Sequence, residues 1–350
     1  MHDSQALTIA KEWVGEWLRR VIAEREVIAP APAHGGDTIF RRVSSPEQVR
    51  WDADNPLHPP KAELLPQTDP LAVITRNGQG VRVTPADGPG PRVLFLVRSC
   101  DAKGISFVTR MQAMDPPDTA FMRRAEGTTL VTLACTQPCP LGFCICCDAG
   151  PFLRDGFDVQ LTDLGDRFLA EIGSAKGDAL VGLAPERFRP AEVGDMISRR
   201  DLEEGAKRAF GEQTCHFASA MRRVSTGRVA AELWEEIAVR CLECGACNFV
   251  CPTCYCFSVK DQPRDGHWVR CRTWDSCQYG AFTLEASGHN PRERHRDRVK
   301  RRFFHKVSAQ YFRRDGVVGC VGCGRCIMVC FGATDMPAVV AAVREGAWHG

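Results

Sequence analysis

The chain has 350 residues, 44% of them hydrophobic and 25% charged, with a formal net charge of +2. Such a length suggests two or three domains, and so small a charge provides no bulk field to recruit nucleic acid or a membrane surface. No apolar run is long enough to span a bilayer, so direct membrane insertion is not expected, and the 19 cysteines stand out.

Residues 4–26 read as a packing helix, because Trp13, Val14, Trp17, Leu18, Val21 and Ile22 recur at steps of three or four. Residues 29–91 are rich in Pro and Gly and suggest short strands, such as Leu71–Thr75. Val93–Val97 reads as a buried strand ending at Arg98-Ser99-Cys100-Asp101, and Thr129–Ala134 as a second, ending at Cys135. Val159–Gly173 alternates weakly and carries turn residues. Residues 184–238 look mostly helical. The expected fold class is therefore α+β. An N-terminal α/β cysteine-bearing domain covers 1–183, a helical connector 184–238, and a cysteine-rich domain 239–350 with a long insert at 257–318. Within that insert, residues 292–314 are dense in Arg and Lys. The stretch reads as a solvated helix face, with a docking face for an acidic partner as the alternative.

A secreted disulfide scaffold would be far shorter, about 80 residues or fewer. The N-terminal stretch MHDSQALTIAKEWVGEW has no apolar core of a secretory signal, and the cysteine count is odd. A cytoplasmic location is expected, where crowded cysteines point to metal.

Spacing indicates which metal. Cys241, Cys244, Cys247 and Cys251, followed by Pro252, form C-x2-C-x2-C-x3-C-P; Cys320, Cys323, Cys326 and Cys330 repeat the run without the proline, Phe331 taking its place. In the bacterial dicluster pattern three close cysteines wrap one corner of a [4Fe–4S] cube, and the fourth ligates the other cube. Cluster 1 would then take Cys241, Cys244, Cys247 and Cys330, and cluster 2 would take Cys320, Cys323, Cys326 and Cys251. Gly245 and Gly324 hold matching places, where the loop must run close to the cube. Zinc ribbons also use C-x2-C pairs, but zinc does not explain a third and fourth cysteine at these spacings, twice.

Six more cysteines, Cys100, Cys135, Cys139, Cys144, Cys146 and Cys147, fall in one N-terminal window. If the strands ending at Cys100 and Cys135 are neighbours, both thiols emerge on one sheet edge, and four ligands for a third cube could be assembled there. Cys215, Cys254, Cys256, Cys271 and Cys277 remain. Cys254 and Cys256 read as apolar thiols packed near the first cube, or as partners of Cys271 and Cys277 in a further metal site.

These residues carry a resemblance. The stretches RCLECGACNFVCPTCYCFSVKD (240–261), WDSCQYGAFTLEASGHNPRERHRDRVKRRFFHK (274–306) and GCVGCGRCIMVC (319–330) resemble the family of iron–sulfur electron-transfer subunits found in sulfhydrogenases, as their beta subunits, and in anaerobic sulfite reductases. So do the Arg-x-Cys-Asp turn at 98–101, the Arg123-Arg124 pair and the Cys135…Cys144-x-Cys146 grouping. The resemblance implies Cys100, Cys135, Cys144 and Cys146 as ligands of a third [4Fe–4S] cluster, with Cys139 and Cys147 as extras. It implies a non-catalytic electron-transfer subunit. Its partners would be a flavin subunit that handles NAD(P)H or ferredoxin and a catalytic hydrogenase or reductase subunit. The alternative is an iron–sulfur oxidoreductase with its own substrate site in the N-terminal domain. No phosphate-binding glycine loop supports it.

Overall fold

The computed structural model describes residues 6–78, 80–212 and 215–348. Among these described residues twelve strands run, in chain order, β1 (Ala6–Ala10), β2 (Glu26–Pro32), β3 (Thr38–Val43), β4 (Thr68–Asn77), β5 (Gly80–Pro85), β6 (Arg92–Arg98), β7 (Thr128–Leu133), β8 (Val159–Asp163), β9 (Arg167–Ile172), β10 (Arg189–Pro190), β11 (Phe257–Arg264) and β12 (His267–Trp274). Eight of them form one sheet in the order β10-β1-β9-β8-β7-β6-β2-β3. At its centre β2, β6, β7 and β8 run parallel, and the flanking pairings are antiparallel. The central strands read as unbroken apolar runs because both faces are covered: every residue of β7 is buried, as are all of β6 but Arg98.

The expected helix over 4–26 is shorter. Leu7 and Ile9 alternate with half-buried neighbours and pair as β1 with β9, so the helix spans only Lys11–Glu24. Its buried stripe is Val14, Trp17, Leu18 and Val21, and the Trp17 indole N–H donates to the Leu180 carbonyl at 3.0 Å.

Because β6 and β7 are parallel neighbours, their carboxyl ends share one edge. Cys100 sits in the first turn of the helix Ser99–Gln112 that follows β6, and Cys135 lies just beyond β7. Ligands of open α/β sheets bind at this edge, outside the strand carboxyl ends.

The second half of the chain packs against that edge. The helices Phe217–Ser225, Ala231–Arg240, His295–Val307 and Met336–Glu345 share an apolar core that includes Ile237, Phe303 and Val340. The rings of Trp234 and Phe303 stack there at 6.2 Å. The hairpin β11–β12 joins a four-stranded sheet in the order β11-β12-β4-β5, with Trp268 opposite Ile74 and Thr273 opposite Thr68. This sheet therefore unites residues 68–85 with 257–274. Buried Asp69 fastens it, accepting from Nη1 and Nη2 of Arg124 at 3.0 and 2.6 Å and from Arg272 at 2.6 Å. No helix among the described residues is long and apolar enough to cross a membrane.

Candidate metal centres

The two cysteine-rich runs fold alike. Each makes a tight loop whose glycine adopts a left-handed conformation, Gly245 at φ 72° and Gly324 at φ 78°. Each glycine then opens a short helix, Ala246–Phe249 or Arg325–Val329. A Cβ at Gly324 would lie 2.3 Å from the Leu141 carbonyl oxygen, so that loop is pressed against the N-terminal half.

Two neighbouring cavities result. One is lined by Cys241, Cys244, Cys247 and Cys330, and the other by Cys247, Cys251, Cys254, Cys320, Cys323 and Cys326. Cys247 and Arg302 line both. The third cysteine of the first run thus stands between the two spaces, and Cys254 joins the second.

The N-terminal cysteines divide. Burial holds the Cys144 thiol up, and the neighbouring charges of Cys135 and Cys139 add to it. Burial raises Cys139 to about 11, with Cys135 the next cause. Burial likewise pushes Cys100 well up, followed by Asp101 and Cys323, with Cys144 also contributing. Cys100, Cys135, Cys139 and Cys144 therefore sit together. Cys146 faces another way, packing against the helical core that also meets Cys215 and Cys320, while Cys147 packs both there and on the group of Cys100 and Cys144. Cys147 is hydrogen-bonded to Cys320. The turn at Cys144–Cys147 aims successive side chains differently, which spacing alone does not reveal.

Cys323 packs on the small buried group of Cys100, Cys144 and Val321, so the N-terminal set adjoins the second cavity. The contact is bolted by charge. Arg325 and Asp101, 1% and 0% exposed, form a bidentate pair at 2.5 and 2.8 Å. The Asn55 amide also donates to the Cys323 carbonyl at 2.9 Å.

The basic stretch 292–314 is not simply a solvated face. Its helix His295–Val307 buries Arg298, Arg302 and Lys306, an i, i+4, i+8 stripe. Arg298 pairs with Glu243, and Arg302 donates to the Thr334 carbonyl at 2.9 Å. Lys306 donates to Thr253 Oγ1 at 2.5 Å. Neither Arg302 nor Lys306 has a carboxylate within ion-pair distance among the described residues. Burial opposes their charges, but thiols outweigh it: Cys247 and Cys326 hold Arg302 ionised, and Cys251 and Cys254 do so for Lys306. A third buried lysine, Lys61, donates to the carbonyls of Cys251 and Cys254 at 2.6 and 2.8 Å; here burial prevails over the nearby thiols and pushes the ammonium down. Spacing counted Arg and Lys as surface; the four-residue period of the stripe was the available signal.

Do these residues suit iron–sulfur cubes? Soft thiols line compact cavities, and buried cations without carboxylate partners face the sulfurs. Both suit an anionic thiolate-bound centre.

Comparison with known proteins agrees. A family model described as a 4Fe-4S dicluster domain matches residues 240–334. Sulfhydrogenase 2 subunit beta of Pyrococcus furiosus is 32% identical over 337 residues, covering 96% of this chain and 97% of the relative. No solved structure gives a significant match.

Proposed function

The chain belongs to the iron–sulfur beta-subunit family of sulfhydrogenases, and from that premise we propose that it is an electron-transfer subunit of a redox complex with three four-thiolate centres in a row. Cys241, Cys244, Cys247 and Cys330 hold the first; Cys320, Cys323, Cys326 and Cys251 hold the second. Cys100, Cys135 and Cys144 hold the third, with Cys139 favoured over Cys146 as fourth ligand because it lies with them. Bound [4Fe–4S] cubes supply one-electron redox chemistry. The chain supplies thiolates, spacing, shelter from water and charge.

The observation that carries this reading is contiguity. Cys247 and Arg302 line the first two cavities together, and Cys323 touches the third set. The row reaches the surface at its first centre. Cys244 is exposed there, and Phe331, at the mouth of the cavity, is 92% exposed. A flavin subunit handling NAD(P)H or ferredoxin would meet one end and a catalytic hydrogenase or reductase subunit the other, in the cytoplasm. The test is iron and acid-labile sulfide in anaerobically purified protein, with Cys139→Ser and Cys146→Ser beside it. About twelve irons per chain are expected, falling to about eight in Cys139→Ser alone. About eight in the parent protein would remove the third centre, and loss in Cys146→Ser alone would reassign its ligand.

A second reading has one observation in its favour. A cavity of about 440 Å³ lies beside the second centre, lined by Lys103, Arg110, Cys146, Cys147, Phe217 and Cys320 among others. It has the size of a small-molecule site. Turnover of a substrate by the isolated chain, lost in Arg110→Ala, would favour an oxidoreductase with its own site.

A further inference from the structure

Neither C-terminal four-thiol set uses Cys254, Cys256 or Cys277. Two of these meet at the open end of the hairpin β11–β12. The last register pair there is Phe257 with Trp274. The Asp275 N–H continues the ladder, donating to the Cys256 carbonyl at 3.0 Å. Cys277 follows two residues on, and the Cys256 thiol donates a hydrogen bond to its sulfur.

Cys277 also accepts from two carboxamides, Asn248 Nδ2 at 3.2 Å and Gln278 Nε2 at 3.6 Å. Three donors around one sulfur favour the thiolate, the form that attacks disulfides. The Cys256 hydrogen bond is the largest cause holding Cys277 below the ordinary thiol range. Asn248 is itself buried, and its Oδ1 accepts from Cys247 Sγ at 3.3 Å. One carboxamide thus touches both this pair and the thiol shared by the first two cavities.

We propose that Cys256 and Cys277 form a reversible dithiol–disulfide site that closes the neck of the hairpin. The oxidant is a small-molecule disulfide. The Cys277 thiolate attacks one of its sulfurs, forming a mixed disulfide and expelling one thiolate. Cys256 gives its proton to solvent, attacks the Cys277 sulfur and expels the second thiolate. One S–S bond forms in the chain and one breaks in the oxidant, which takes up the electron pair. In reducing compartments such bonds are transient and redox-sensing, which suits a pair held by hydrogen bonds in its reduced state. Oxidation would remove a negative charge beside Asn248, within one side chain of Cys247.

The experiment uses the full chain, purified anaerobically and equilibrated with oxidised or reduced glutathione. Free thiols are alkylated, the protein is digested, and the peptides are mapped. Oxidised samples should contain a Cys256–Cys277 linked peptide, and reduced samples should show both residues alkylated. In Cys256→Ser, Cys277 should be trapped as its glutathione adduct. The proposal fails if both cysteines are alkylated after oxidation, if both are protected in either buffer, or if the new bond joins Cys251 to Cys254. Iron and sulfide measured on the same samples test the cluster reading separately, because the disulfide does not depend on it.

Discussion

Replacing Arg302 by Met gives the sharpest test of how this frame sets redox potentials. Arg302 lines both C-terminal cavities and is buried; it donates to the Thr334 carbonyl, lies over the Phe303 ring, and has no carboxylate in ion-pair reach among the described residues. Met roughly keeps the unbranched stem and removes the charge. Two charges on the order of 6 Å apart interact strongly where water is excluded. At that separation and an effective dielectric near 20, one unit charge is worth ~3 kcal/mol. At ~2.3 kcal/mol per 100 mV, that is a shift on the order of 100 mV. Reduction adds negative charge, so the lost cation disfavours the reduced state. Both midpoint potentials should fall, because both cavities share the residue. The assay is potentiometric titration followed by electron paramagnetic resonance, with iron content confirming that the clusters remain. Arg296→Met is the control: that side chain pairs with Glu235, off the inward stripe, and should leave both potentials in place. If Arg302→Met moves neither potential beyond that control, or moves only one, the shared-cation argument is wrong.

Other outcomes follow from single contacts. Asp101→Asn leaves Arg325 charged and unpaired in the interior, so denaturant unfolding should show a loss of about 3–5 kcal/mol. Gly324→Ala drives a Cβ toward the Leu141 carbonyl at a positive φ, and iron content should drop from about twelve to about eight or fewer as the second centre fails. Phe331→Glu changes a side chain that is 92% exposed at the rim of the first cavity. Iron content and potentials should hold, while electron delivery to a protein acceptor, followed by stopped-flow absorbance, slows about five- to tenfold. Unchanged delivery would move the docking surface elsewhere.

The parts of this architecture that were legible are those fixed by local geometry. A C-x2-C-x2-C run has few ways to fold around one point, so Cys241, Cys244 and Cys247 come together, as do Cys320, Cys323 and Cys326. The apolar runs at Val93–Val97 and Thr129–Ala134 could only be buried strands, and both lie in the parallel centre of the sheet. What escaped depends on direction or on distant partners. Spacing leaves Cys139 and Cys146 as rivals for one place, and the turn at Cys144–Cys147, which packs Cys146 on the helical core, separates them. Nothing near residue 268 announces a strand partner at residue 74. Cys277 was one of two candidate partners for Cys256 by sequence, and the hairpin register is what brings it there.

The net charge of +2 says nothing of where the charges sit. A sum over the chain cannot distinguish cations in water from cations inside. Lys61, Arg302 and Lys306 are buried against cysteine loops with no carboxylate in ion-pair reach among the described residues, whereas Arg325, Arg124 and Arg272 are buried with one. An interior cation without a carboxylate is costly unless some other anion stands beside it. Here the available anions are thiolates, together with whatever anionic centre they hold. The near-neutral total therefore conceals a charge pattern built around the cysteines. It also predicts a gain on loading: a bound anionic centre adds to the attraction that the cysteine thiols alone give Arg302 and Lys306. The apoprotein should unfold at lower denaturant than the loaded chain, and neutralising Lys306 as Lys306→Met should narrow that gap. A gap that widens would mean that the cation stabilises the empty frame, and that its charge answers to something other than the clusters.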